Sequence, residues 1–282
     1  MSFQSRISDY SFLSSKSLPE FQVPLEIKKD TVVSAKDGKK ILFPCINILD
    51  DVVLKKTNKK GEFENLKFFS DKVLEQVSEH FPLVYRHETT EDNTLIMMEK
   101  FEGDFNDIDT EEMNIDEIMS FFLQMLMALY AIDSYGKFHG DLNPGNALFK
   151  KIDDSDDIYH KGYLKYVIGK ETYYLKHFNR LWVIADFEYM GNKGEVLETS
   201  DKGFDTTFFK RLFGDLYDKI KEPVRGSWMY DMYVIAHFTY STKIAERLFN
   251  FMQDGFSLNP IDAIPYIIKN EISHIFIRGE LS

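Results

Sequence analysis

A polar loop, His139-Gly140-Asp141-Leu142-Asn143-Pro144-Gly145-Asn146, lies between two apolar segments and constrains the fold of this chain more than any other feature. Upstream, Ile118, Phe121, Met125, Leu129 and Ile132 recur at steps of three and four. That is the period of a helix with one buried face, and Gly136 is placed to stop it. Downstream, Ala147-Leu148-Phe149 reads as a strand, and a second apolar strand, Leu181-Trp182-Val183-Ile184, runs into Asp186. A loop rich in Asp, Asn and Gly is therefore held between buried elements.

The first hundred residues read differently. Val23 to Leu54 alternates short apolar runs with polar turns, and Lys36-Asp37-Gly38-Lys39 suits a hairpin. Val52-Val53-Leu54 predicts a strand ending at Lys55-Lys56. Leu66, Phe69, Val73 and Val77 define a helical face. Phe81 to Tyr85 and Leu95 to Met98 predict two more strands. Residues 151–180 look inserted, with a hairpin from Tyr163-Val167 and Thr172-Leu175 turning at Gly169. The stretch from about Phe204 reads mainly as helices. The order of elements predicts an α+β chain in two lobes. Residues 1–20 are expected to form a loose leader, 21–103 the mainly-β lobe and 104–282 the mainly-α lobe.

Composition narrows the function classes. The net charge of −12 leaves no global basic field, so no nucleic-acid partner is expected. One cysteine, Cys45, excludes an intramolecular disulfide framework and a cysteine-rich zinc site. It lies in an apolar run and reads as a buried thiol. No basic stretch followed by an apolar run opens the sequence, so no secretory signal is expected. Phe121 to Ile132 is too short for a membrane span and contains Gln124, which favours a buried helix.

The loop suits phosphoryl transfer, which needs an aligned nucleophile, bridging metal ions and nearby positive charge. The Asp141 carboxylate can orient a hydroxyl and accept its proton. The Asn146 amide oxygen is a hard ligand for Mg²⁺ or Mn²⁺, and Asp186 can hold a metal as well. Lys55 can neutralise phosphates that are not transferred. A glutamate on the following helix would hold that lysine. Glu62, four residues before Leu66, falls on the apolar face, and Glu64 does not.

His139-x-Asp141-x-x-x-x-Asn146 resembles the catalytic loop of protein kinases, and Asp186-Phe187-Glu188 resembles their Asp-Phe-Gly segment. Val52-Val53-Leu54-Lys55 is similar to the strand that carries the ATP lysine. Met98-Glu99-Lys100-Phe101 looks like the hinge between the lobes. The likeness extends loosely from Val23 to Asp254. With the hairpin insert and the Phe81-Pro82-Leu83-Val84-Tyr85 segment, it is greatest to the divergent Ser/Thr protein kinases of large DNA viruses. The resemblance implies a bilobal kinase-like fold, ATP and Mg²⁺ or Mn²⁺ as cofactors, and a protein substrate. It implies adenine bonded to backbone near Glu99 and Phe101, and Asp205 bracing the catalytic loop. It also implies a cytoplasmic location, in the host or the virion. The two motifs are also similar to aminoglycoside and choline phosphotransferases, and a catalytically inactive scaffold is a third reading.

The sequence departs from the kinase pattern in three places. No Gly-x-Gly-x-x-Gly precedes Lys55, where Gly38 is the only glycine of the first 60 residues. The usual phosphate lid is therefore altered. Gly140 stands where such kinases carry Arg, so a phosphate on the 191–202 segment would lack its partner, and no activation by phosphorylation there is expected. Full activity seen only after that phosphorylation would refute this. Glu188 stands where a hinge glycine would give φ freedom, which predicts an Asp186 segment fixed in one state.

Overall fold

The computed structural model describes residues 6, 42–44, 52–89, 94–109, 112–152, 162–195, 226–238, 260–264 and 275–279. The expected turn at 36–39, Cys45, the acidic run of Asp153 to Asp157, and Asp205 lie outside them. The described chain is mixed α/β, with four small antiparallel sheets and few helices.

The first sheet has strand order β1-β2-β4-β3, from Leu42–Pro44, Val52–Thr57, Val84–Thr89 (β3) and Thr94–Glu99 (β4). β2 runs to Thr57, so Lys55 lies inside the strand and does not end it. It is opposite Ile96 in the register. Alternation puts Lys55 and Thr57 on one face, and both are buried. Helix α1, Lys60–Leu74, follows at once. Leu66, Phe69 and Val73 face the core as their spacing predicts. Val77 does not, because the helix has ended and Gln76 turns the chain with φ +60°; Val77 is half exposed. The strand expected from Phe81 begins only at Val84. Ser70 on α1 accepts the Val84 N–H at 2.8 Å and fixes that start.

Helix α2, Ile115–Ser134, is the central element. Asn114 and Glu117 cap each other's backbone N–H groups in a capping box. Gly136, with φ +68°, lets the chain leave the helix. At 20 residues α2 is longer than its apolar core suggested, and its length and hydropathy would suit a membrane span. Most of it is buried within the protein instead. Gln124 shows why a polar residue sits there. Its Oε1 accepts the Trp182 N–H at 2.9 Å, and its Nε2 donates to the Arg180 carbonyl at 3.2 Å. It pins a strand to the helix.

That strand belongs to the second sheet, order β10-β7-β5, from Arg180–Ile184, Ala147–Lys151 and Gly103–Asp104. β6 (Lys137–Phe138) and β11 (Gly191–Asn192) form a two-stranded pair. The expected hairpin is present as β8 (Tyr163–Ile168) and β9 (Glu171–Lys176), turning at Gly169 with φ +63°. A strand near the C-terminus, β12 (Phe276–Arg278), adds to β9, where the sequence predicted mainly helices. Tyr166 of the hairpin stacks on His80, and its hydroxyl donates to His80 Nε2 at 2.8 Å. Helix α3, Trp228–Phe238, packs against α2.

Candidate active site

Three local devices bring the predicted residues together. The first is the β2–α1 corner. Lys55 points from β2 toward Glu62 in the first turn of α1 and forms an ion pair with it. Glu62 also accepts the Thr57 hydroxyl at 2.6 Å. Its place in the first turn suits the helix dipole. Of the two glutamates considered, Glu62 faces the lysine. Lys55 Nζ also lies 3.3 Å from Asp186 Oδ1.

The second device is the loop. Asn143 caps the short 3-10 turn Pro144–Asn146, its Oδ1 accepting the Gly145 N–H at 3.0 Å. Asn146 Nδ2 donates to the Asp141 carbonyl at 2.7 Å and to Asp141 Oδ2 at 3.2 Å. The amide oxygen is thus the end not turned to Asp141. The Asn146 carbonyl accepts the Ala185 N–H at 2.9 Å, which places the loop beside Asp186. His139 Nδ1 accepts the Asp141 N–H at 3.3 Å, so Nε2 carries the hydrogen and donates to the Ala185 carbonyl at 3.0 Å. His139 is fully buried, and both ring nitrogens are spent on backbone groups.

The third device is the Asp186 segment. Asp186 has φ +66° and ψ +77°, a left-handed conformation that costs a non-glycine residue about 1–3 kcal/mol. Phe187 fills the core below it. Its ring stacks on Phe69 of α1 at 5.6 Å and meets His139 edge-on at 5.5 Å. Glu188 forms an ion pair with Lys59 at the start of α1. Glu62, Asp186 and Glu188 bring carboxylate oxygens within 4.8 Å of one another, with Lys55 and Lys59 against them. A hard divalent ion needs oxygen donors, which the Asp186 carboxylate and the Asn146 amide oxygen could offer.

Asp205, which the resemblance implied would brace the loop, lies outside the described residues. Among the described residues Asp231 of α3 braces it, its two oxygens accepting the N–H groups of His139 at 2.9 Å and Gly140 at 2.8 Å. Burial pushes its carboxyl upward, and backbone N–H bonds from His139, Gly140 and Leu142 oppose that push. A lone acid inside the apolar run Trp228 to Ala236 was the signal that could have found it, since buried carboxylates demand partners.

The resemblance implied adenine bonded to the backbone near Glu99 and Phe101, which leaves the role of the Glu99 side chain to its surroundings. That side chain is buried, paired with Arg6 at 2.8 Å and Lys150 at 2.8 Å, and the Glu99 N–H donates to the Leu83 carbonyl at 2.9 Å. Its side chain is therefore structural. Phe101 is half-buried and packs on the core. Arg6, in the segment expected to form a leader, is itself buried. Comparison with protein-family models and with curated proteins gave no match.

Proposed function

We propose that the chain is an ATP-dependent Ser/Thr protein kinase with a bilobal kinase-like fold, moving the γ-phosphate to a protein hydroxyl. The observation that carries this reading is the meeting of Lys55, Glu62 and Asp186 beside the Asp141–Asn146 loop. A cation held by one carboxylate and turned toward another suits neutralisation of phosphate oxygens. Asp141, half-buried and oriented by Asn146 and His139, orients the acceptor hydroxyl and takes its proton. Asp186 and Asn146 would hold Mg²⁺ or Mn²⁺, which neutralises the charge that develops on the transferred group. Backbone near Glu99 and Phe101 would receive the adenine.

The hairpin docked on His80 supports a protein acceptor, because that insert carries the likeness to the viral kinases. The Asp186-Phe187-Glu188 ending supports a small-alcohol acceptor. The test offers the purified protein labelled ATP, Mg²⁺ or Mn²⁺, casein-like proteins and small alcohols. Label on protein, lost in Asp141→Ala and Asp186→Ala, is expected. Label on alcohols alone moves the assignment to a small-molecule phosphotransferase. No transfer and no nucleotide-dependent thermal shift would leave a binding scaffold.

A further inference from the structure

We propose that Arg6 is a positioning residue for the nucleotide base, acting on the 99–101 segment through Glu99; this rests on the kinase reading above. Arg6 lies 93 residues from Glu99 in sequence and is 1% exposed. Its guanidinium makes four hydrogen bonds to described residues. Nε and Nη2 donate to the two Glu99 carboxylate oxygens at 2.9 and 2.8 Å. Nη1 donates to the Glu79 carbonyl and Nη2 to the Phe81 carbonyl, each at 2.9 Å. One planar fork therefore joins the end of β4 to the segment between α1 and β3. A guanidinium can do this because its donors are fixed in one plane; an ammonium on a flexible stem cannot span the same acceptors.

What lies on either side gives the fork its consequence. Glu79 and Phe81 flank His80, whose carbonyl accepts the Ile184 N–H at 2.9 Å. Ile184 ends the strand that leads to Asp186. Glu99 also takes Lys150 of β7 at 2.8 Å and the Leu83 N–H at 3.3 Å. Beyond it, Glu102 donates its N–H to the Phe149 carbonyl at 3.1 Å. Lys100 and Phe101 are thus suspended between two fixed points, and Arg6 holds one of them. The same contacts tie that point to the Asp186 strand. A base seated on the backbone of 99–101 would have its distance from the phosphate-facing Lys55 and Asp186 set by this clasp.

The test uses the full chain, wild type, Arg6→Ala and Arg6→Lys, with ATP kinetics and direct binding of a fluorescent ATP analogue. Arg6→Ala is expected to raise KM for ATP and Kd for the analogue about tenfold, a loss of about 1.4 kcal/mol. Turnover at saturating ATP is expected to stay within about twofold, because Asp141 and Asp186 keep their own supports. Ethylguanidinium added to Arg6→Ala is expected to restore most of the affinity. Arg6→Lys keeps the charge and so guards against a variant that fails to fold; it is expected to weaken ATP about threefold without rescue by ethylguanidinium, in line with the fork geometry. Unchanged KM and Kd in both folded variants, with only a lower melting temperature, would overturn the proposal and leave Arg6 a structural residue. A wild-type protein that binds no nucleotide would instead overturn the kinase reading on which it rests.

Discussion

Asp231→Asn tests the internal support of the candidate site. The carboxylate accepts N–H groups from His139 and Gly140 with separate oxygens, and Leu142 adds a third backbone bond. Asn keeps one oxygen and turns an amide N–H₂ toward a buried N–H. At least one donor is then unpaired, at about 1–3 kcal/mol. The expected loss is about 1–3 kcal/mol, a large share of a typical stability of about 5–15 kcal/mol. Urea unfolding at neutral pH measures it. Gly140, at φ +84°, and Asp141 follow directly from the bonds that are lost. A displacement of about 1 Å at Asp141, the proposed base, can cost about 10²-fold in rate, so kcat should fall by about that factor at temperatures where the variant is folded. A variant within about 0.5 kcal/mol of wild type, with kcat within about threefold, would refute the claim that Asp231 holds the loop.

The enclosed carboxyl of Glu79 gives a pH signature. Burial pushes its carboxyl up to about 7, with Arg6 opposing, and its Oε2 has no hydrogen-bond partner among the described residues. The folded state therefore keeps a proton that the unfolded chain releases, and this contribution to stability is present at low pH and lost as pH rises from about 4.5 to about 7. His80, pushed down to about 4 by burial, changes stability in the opposite sense between about 4 and 6.5, so the wild-type profile alone hides both. The stability of Glu79→Gln relative to wild type should rise by about 3 kcal/mol over the Glu79 window, read by urea titrations at pH 4.5 and 7.5. A difference that does not change with pH would sink this account. The Lys59–Glu188 pair should behave as a surface pair, since the lysine side chain is 47% exposed. A double-mutant cycle with Lys59→Met and Glu188→Gln should give a coupling below about 1 kcal/mol, shrinking in high salt; a coupling above about 2 kcal/mol that ignores salt would contradict it.

The residues legible in the sequence are those whose relation is local. Glu62 could be chosen over Glu64 because both sit within two turns of Leu66, on a helix whose period is visible. Asp141 and Asn146 share one short loop, and their hydrogen bond closes over five residues. The hairpin was readable because alternation and a turn glycine lie within a dozen residues. The residues that escaped are joined by separations no pattern records. Arg6 reaches Glu99 across 93 residues, His139 reaches Asp231 across 92, and His80 reaches Trp182 across 102. β12 escaped for the same reason, since only its pairing with β9 makes it a strand. These are the buried charges and donors, whose partners are set by the fold and not by their neighbours in the chain.

Glu188 shows how a departure from a motif can be read once the backbone is known. A glycine at that place would be required only if residue 188 had to adopt a positive φ. The residue with positive φ is Asp186, and Glu188 lies inside the 3-10 turn Phe187–Tyr189, a conformation open to any L-residue. Nothing in this state needs glycine there. A side chain at 188 is instead free to reach Lys59, at the head of the helix that holds Glu62 against Lys55. Phe187 meets the same helix from below through Phe69. The Asp186 segment and α1 are thus joined through apolar rings in the core and, at the rim, through an ion pair and the Lys59 ammonium over the Tyr189 ring. The strain at Asp186 can persist because its neighbours on the chain are fixed to a helix that is fixed to Lys55. A segment joined in this way favours one orientation of Asp186, and that orientation is the one facing the lysine.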